Sequence, residues 1–468
     1  MPARTLIIGL DAADPGLLAR WSAEGSLPAI HALSSTGVSG RLSTPAGLGD
    51  DAVWPSFYTG RPVGHHGRYF WTQLAPGAGA LVPSCDRFPE RPALWSALCD
   101  AGLRVAVIDV PKGPLARMPN GIQLCDWLVH GRDYQSPKSV PEDLALRIRA
   151  EFGDAPPSLC AEFMAPLTDR MIQEVRENLC RSADMKRRCA TQLLGTSAWD
   201  LFIVAFKEAH CGSHAFWHLV DPSHPDHVPG QDARHGEPLK AVYRQLDCAV
   251  QALIAQAGPD SSVLLFTTLS MAANHTGNHL MAGLVSRINS RFGGPVETML
   301  HAWRAGRHAL CRALPHNEAS GAIRINVAGR DPGGSVQPGA AYDALCARLI
   351  DELSQLADPV TGRRLVSEII KTRETFPGPA AHHFPDLFIV WDRSAPIGAA
   401  VRSPRLGMIA GVPPSHRRTG NHSPGGCYIV SGPAARAWPA EQDIDISDLL
   451  GKFLKAANLD LSGGVGAC

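Results

Sequence analysis

Gly49-Asp-Asp-Ala-Val-Trp-Pro-Ser-Phe-Tyr-Thr-Gly60, running on into Arg61-Pro-Val-Gly-His-His-Gly67, is the stretch on which the reading of this chain turns. By residue type alone, Asp50 and Asp51 read as caps at a helix start, where backbone N–H groups favour negative charge. Upstream, Thr5-Leu-Ile-Ile-Gly-Leu10 is an apolar run of strand length, and Asp11 follows it at once. An acid directly after a buried strand can reach a metal at the sheet edge. Capping of a following helix by Asp11 or Asp14 is the other reading, and on this feature alone it comes first.

Further strand-length apolar runs lie at Val105–Val110, Leu201–Phe206, Val263–Thr267 and Leu387–Trp391. Amphipathic stretches separate them, at Leu94–Ala101, Pro141–Glu151, Asp169–Leu194, Leu239–Gln256 and Tyr342–Leu356. This alternation predicts an α/β fold with a mostly parallel central sheet and helices on both faces. Ligands of such sheets bind beyond the carboxyl ends of the strands. Chemistry is therefore expected just after Leu10, Phe206 and Thr267. Residues 116–194 carry weak strand signal and strong helical signal, so a helical cap insertion is expected there. A second insertion is expected over 288–319, ahead of the strand-like Ala322-Ile-Arg-Ile-Asn-Val327. The reading takes 1–458 as one α/β domain and 459–468 as a flexible tail.

The 468 residues contain 44 Lys+Arg against 44 Asp+Glu, so bulk charge gives no reason to expect nucleic acid or an anionic membrane as partner. A small-molecule substrate is expected instead. The 12 cysteines are scattered without C-x-x-C pairs, which predicts free thiols in a reducing compartment. No segment approaches the roughly 18–20 apolar residues of a membrane span, and the N-terminal apolar run is short for a signal peptide. The expected location is the cytoplasm.

Phe206-Lys-Glu-Ala-His-Cys-Gly-Ser-His-Ala-Phe-Trp-His218 places His210 and His214 four residues apart just after a strand. In a helix that spacing puts both imidazoles on one face, a common transition-metal arrangement. Two hydrogen-bonded histidines in a His-rich chain account for the pattern equally well on its own.

The pieces Trp54-Pro-Ser-Phe-Tyr-Thr-Gly60 and His66-Gly67 resemble the phosphodiesterase/nucleotide pyrophosphatase family, a branch of the alkaline phosphatase superfamily. Similar segments recur at Ile323–Pro332, Asp358–Gly362 and Phe384–Leu387, so the resemblance spans nearly the whole chain. It implies an alkaline phosphatase-like fold and a two-metal hydrolase. The family's nucleophile lies nine residues before the Thr of Thr-Gly, which here is Asp50 rather than Ser, Thr or Cys. The resemblance thus implies Asp50 as nucleophile, metal ligand or base. His210 stands where relatives have an Asp ligand, and His214 matches their His. His422, in Arg418-Thr-Gly-Asn-His-Ser-Pro-Gly425, matches the last ligand of the same metal. Together they imply a three-histidine site with an open position, as catalytic zinc sites have. In a one-metal reading Lys207 or Arg68 is the candidate anion contact, with Lys207 counted beside Asp50 as catalytic and Arg68 as substrate-binding.

The departure comes after Val263–Thr267. Relatives carry Asp-His there as ligands of the second metal, and this chain has Leu269-Ser270. Only Asp11 and Asp50 remain for that metal, so a second ion is expected to bind poorly. His275 and His279 are assigned to substrate binding or to loop stabilisation. The first reading is a hydrolase of a phosphoester or related ester using one divalent transition metal, zinc first, with iron or manganese also suited. Non-hydrolytic chemistry at a three-His metal, or a non-catalytic binding protein on the same fold, are the alternatives.

Overall fold

Thr5-Leu-Ile-Ile-Gly-Leu10 is buried at every position, so only an interior strand with neighbours on both sides satisfies its backbone. In the computed structural model this is what it forms. The structure describes residues 5–75, 79–84, 92–128, 136–157, 167–293, 309–412, 418–439 and 442–459. In chain order the central strands are Thr5–Leu10 (β1), Val38–Ser43 (β2), Val105–Ile108 (β3), Gly121–Cys125 (β4), Lys138–Val140 (β5), Leu201–Phe206 (β6), Ser262–Thr267 (β7), Gly426–Ser431 (β8) and Asp443–Asp445 (β9). They make one nine-stranded sheet in the order β9-β2-β8-β7-β1-β6-β3-β4-β5. The heart of it, β7-β1-β6-β3-β4, is parallel. Antiparallel pairings join β5 to β4, and β8 to both β7 and β2.

Four helices matter for the site: Asp50–Thr59 (α1), Asp169–Gly195 (α2), Glu208–Val220 (α3) and Pro238–Ala257 (α4). Helices α2, α3 and α4 pack on one another, while α1 packs against Ile446–Ala456. All of this belongs to one large core that includes Ile7, Trp54, Phe206, Phe266 and Leu269. No described helix is long and apolar enough to cross a membrane. Every described cysteine is a free thiol.

The strand at Leu387–Trp391 does not enter the parallel sheet. It pairs antiparallel with Ser320–Ile325 and Val366–Lys371, in a separate four-stranded sheet completed by Cys311–Leu314. That sheet has its own core around Leu284, Ile288, Leu349, Leu353 and Ile389. Residues 116–194 are not wholly helical either. Gly121–Cys125 and Lys138–Val140 extend the central sheet before the helices Leu144–Phe152 and α2 begin. Gln123 masks the first of these strands in an apolar count. Its buried amide donates to Pro114 O and accepts from Ala116 N, so the polar group sits satisfied inside the sheet edge. Of the second expected insertion, 294–308 lies outside the described residues, as do 460–468 of the tail.

Candidate active site

Strand β6 ends at Phe206, and α3 begins two residues later, so His210 and His214 stand on consecutive turns at the carboxyl end of the sheet. His422 arrives from the opposite side on a short strand, Gly420–Ser423, paired antiparallel with Ser270–Ala273 so that His422 faces Met271. A β-carbon at Gly420 would lie 2.3 Å from Ser213 O and 2.7 Å from Trp217 Cβ. Only glycine lets this strand press so closely onto α3. Arg393 fastens it, donating to the carbonyls of Asn421 and His422. The three imidazole rings come to centroid distances of 4.6, 4.8 and 4.9 Å, all buried.

The hydrogen bonds fix two tautomers. His214 Nδ1 lies 2.7 Å from Gly420 O, an obligate acceptor, so Nδ1 carries the proton and Nε2 is bare. His210 Nδ1 lies 2.8 Å from Asp11 Oδ2, so in the neutral ring Nε2 is the unprotonated nitrogen. These two bare nitrogens face each other at 3.1 Å. Burial holds the His214 imidazole well below its usual pKa, and it pushes His422 down to about 3. Two lone pairs at that distance repel unless a proton or a metal ion lies between them. His422 adds a buried Nε2 with no hydrogen-bond partner among the described residues. One donor nitrogen from each ring falls within 4.8 Å of the others, and Asp11, Asp50 and His210 form a second such group. The residues present therefore fit a divalent metal.

Asp50 opens α1 and brings Oδ1 to 3.9 Å from His422 Nδ1. Lys112 Nζ lies 3.5 Å from Asp50 Oδ2 and equally 3.5 Å from Asp51 Oδ1. Arg68 reaches Asp51 Oδ1 at 3.5 Å. All four side chains are buried. Lys112 sits beyond the carboxyl end of β3 in a left-handed backbone conformation, φ 58°. Sequence reading missed it. The signal was a lysine between Pro111 and Gly113, just past a strand whose end had been left off the expected set of site loops.

The remaining expected residues lie elsewhere. Lys207 donates to Asp109 Oδ1 at 3.0 Å, inside a buried cluster with Lys186, which is 2.8 Å from Asp109 Oδ2 and 3.5 Å from Glu208. Burial opposes both charges of that pair, yet Asp109 holds the Lys207 ammonium above its ordinary range. His275 donates to Arg393 O at 3.0 Å and His279 to Gly398 O at 2.8 Å, so both tie loops of the second sheet. Leu269 is fully buried in the main core, and Ser270 donates to Asp14 Oδ2 at 2.6 Å.

A mostly parallel sheet with its polar cluster at the strand ends, joined to a smaller antiparallel sheet, is the architecture of the alkaline phosphatase superfamily. Solved structures agree. Phosphonoacetate hydrolase from Sinorhizobium meliloti 1021, in complex with phosphonoacetate, superposes with a TM-score of 0.56 at 15% identity, over 98% of this chain and 96% of that one. Murine ectonucleotide pyrophosphatase / phosphodiesterase 5, as an inactive variant in complex with AMP, gives 0.52 at 11% identity, over 99% and 97%. A search of curated proteins finds no match. The family model for type I phosphodiesterase / nucleotide pyrophosphatase matches residues 5–422, and the chain belongs to that family of hydrolases.

Proposed function

We propose that the chain hydrolyses a small phosphoester or related ester with a single divalent metal held by His210, His214 and His422, with Asp50 beside it. The facing Nε2 atoms of His210 and His214, 3.1 Å apart, carry this reading. Zinc is the first candidate, with iron or manganese as alternatives for a nitrogen-rich donor set of this kind. The bound ion supplies Lewis acidity toward an ester oxygen. Asp50, at the first turn of α1 beside the Lys112 ammonium, supplies the carboxylate that attacks the ester centre or takes a proton from an attacking water. Lys112 and Arg68 hold Asp50 and Asp51 in place and contribute positive charge for an anionic substrate. The bound phosphonoacetate and AMP of the structural neighbours support a small phosphorus-containing anion as substrate class. Lys207 acts through Asp109 to seat the start of α3, and His275 and His279 act on loop position. The free thiols support a reducing compartment, hence the cytoplasm.

Elemental analysis of purified wild type and of the His210→Ala/His422→Ala double variant tests the site. About one equivalent is expected in wild type and none in the variant. A panel of aryl phosphomonoesters, phosphodiesters and carboxylic esters then tests the chemistry. Asp50→Ala abolishes turnover in this scheme while Asp51→Ala retains most of it. Acid quench followed by mass spectrometry separates the two roles of Asp50, because a nucleophilic carboxylate forms a mixed anhydride with the transferred group and a base forms none. Equal metal content in wild type and double variant refutes the site, and full activity of Asp50→Ala refutes the mechanism.

A further inference from the structure

Asp11 is the residue whose surroundings the proposed function leaves unexplained. The resemblance makes it a ligand of a second metal, and its donor atom lies within 4.8 Å of those of Asp50 and His210, yet both of its oxygens already accept hydrogen bonds. Oδ1 accepts from Trp54 Nε1 at 2.7 Å and from Thr268 Oγ1 at 3.0 Å. Oδ2 accepts from His210 Nδ1 at 2.8 Å. Each donor is itself built in. Thr268 Oγ1 accepts from Ala12 N at 2.9 Å, so its hydroxyl proton is directed onto Asp11. The Trp54 ring lies flush on β1, where a β-carbon at Gly9 would come within 2.6 Å of Trp54 Cη2. Asp11 is fully buried, and so are Trp54 and Thr268. Leu269, where the resemblance expects a carboxylate, is packed into the core.

We infer that Asp11 is a positioning residue rather than a metal ligand: its carboxylate fixes His210 in the Nδ1–H tautomer and aims the bare Nε2 at the donor cluster. The inference rests on the single-metal reading above and assigns the second-metal position to the protein's own hydrogen bonds. Outer partners of this kind hold a ligating imidazole in register, and losing one typically costs 10–100-fold in metal affinity. The isosteric change Asp11→Asn isolates the effect. Its carbonyl can keep the bonds from Trp54 and Thr268, which turns its NH₂ toward His210 Nδ1. His210 must then accept at Nδ1 and carry its proton on Nε2, pointing at His214.

Two measurements test this. In metal-free protein, two-bond ¹H–¹⁵N correlations of the imidazoles read the His210 tautomer directly. Competition with a chromophoric chelator gives zinc affinity and stoichiometry. The expected result is an Nδ1–H to Nε2–H switch in Asp11→Asn, with affinity lowered about 10–100-fold and stoichiometry of the residual binding unchanged at one. An unchanged tautomer overturns the inference, and so does a fall from two equivalents to one, which would make Asp11 a ligand. Thr268→Val, which removes one donor from Oδ1, serves if Asp11→Asn does not fold. It lowers zinc affinity several-fold if the inference holds, and unchanged affinity refutes it. Wild type that binds no zinc refutes the three-histidine reading, while the tautomer comparison still decides the role of Asp11.

Discussion

Replacing Leu269 by Asp and Ser270 by His restores on paper the ligand pair that the family uses for its second metal. The surroundings predict failure. Leu269 has no exposed surface, and its side chain belongs to the core under the sheet. Removing it costs roughly 2–5 kcal/mol in transfer and cavity terms. A carboxylate placed there without a partner adds several kcal/mol of desolvation. Ser270 contributes a smaller loss, because its hydroxyl and the Met271 amide both donate to Asp14 Oδ2, at 2.6 and 3.0 Å. Even at the low end the total is about 5 kcal/mol, a large share of the ~5–15 kcal/mol that holds a native protein. At about 2 °C per kcal/mol for a chain of this size, the apparent melting temperature drops by roughly 10 °C. Metal repays this only if it displaces the His210 hydrogen bond from Asp11 Oδ2. The double variant is therefore expected to melt about 10 °C lower with or without zinc and to hold one equivalent. Differential scanning fluorimetry with and without zinc, and elemental analysis, give both answers. A variant that gains a second equivalent together with wild-type stability in zinc refutes the picture of a closed second site.

Two further outcomes follow from buried charge. His66 has both nitrogens engaged: Nδ1 accepts from Arg68 N at 3.1 Å and Nε2 donates to Ser56 Oγ at 3.0 Å. Burial, with Arg68 and His65 adding, pushes its pKa down to about 3. The unfolded chain takes up that proton near pH 6.5, so stability is complete above about 6.5 and falls at ~1.4 kcal/mol per pH unit as pH drops toward 3. Urea midpoints at pH 7.5, 6.0 and 5.0 give the wild-type slope, to which the other depressed histidines also contribute, and His66→Gln makes it shallower by about 1.4 kcal/mol per pH unit. An identical slope in both proteins refutes the assignment. Separately, Asp109→Asn removes the carboxylate shared by the buried Lys186 and Lys207 ammoniums and leaves Lys186, among the described carboxylates, only Glu208, at 3.5 Å. It is expected to cost about 3–5 kcal/mol, with part recovered in Asp109→Asn/Lys186→Met. Urea denaturation of the three proteins checks this, and additive losses in the double variant count against the cluster.

The fold was legible because its decisive elements are local. Leu6–Leu10 and Leu201–Phe206 have no polar residue to hide their period, and the helices α2 and α4 carry unbroken amphipathic patterns. Gly121–Cys125 was not legible, since Gln123 finds its partners only once the Pro114–Ala116 loop folds back on it. Of the candidate site, His210, His214 and His422 were readable from spacing and resemblance. What joins them was not. Neither Gly420 pressing on α3 nor Trp54 and Thr268 closing on Asp11 leaves a mark on any single segment. Lys207 misled because a lysine after a strand looks the same in sequence whether it meets substrate or a buried Asp109.

The four departures at the site form one linked set. An imidazole at 210 in place of a carboxylate needs a hydrogen-bond acceptor behind it to leave its outer nitrogen bare, and Asp11 is within reach only if no second metal claims it. Leu269 and Ser270 remove the other ligands that would make such a claim. The exchange also alters the charge of the centre. With the proposed ion bound, three neutral imidazoles and the Asp50 carboxylate would leave one positive charge, and Lys112 and Arg68 stand near Asp50 and Asp51 with opposite sign. In the proposed scheme such a centre would favour a singly charged ester over a phosphate dianion, because each further substrate charge must be desolvated without a second metal ion to meet it. Among the substrates a member of this family is built to meet, that points to diesters ahead of monoesters. The ratio of aryl phosphodiester to phosphomonoester turnover in the screen described above is the quantity that settles the point, and a preference for monoesters would show that a second cation joins the site.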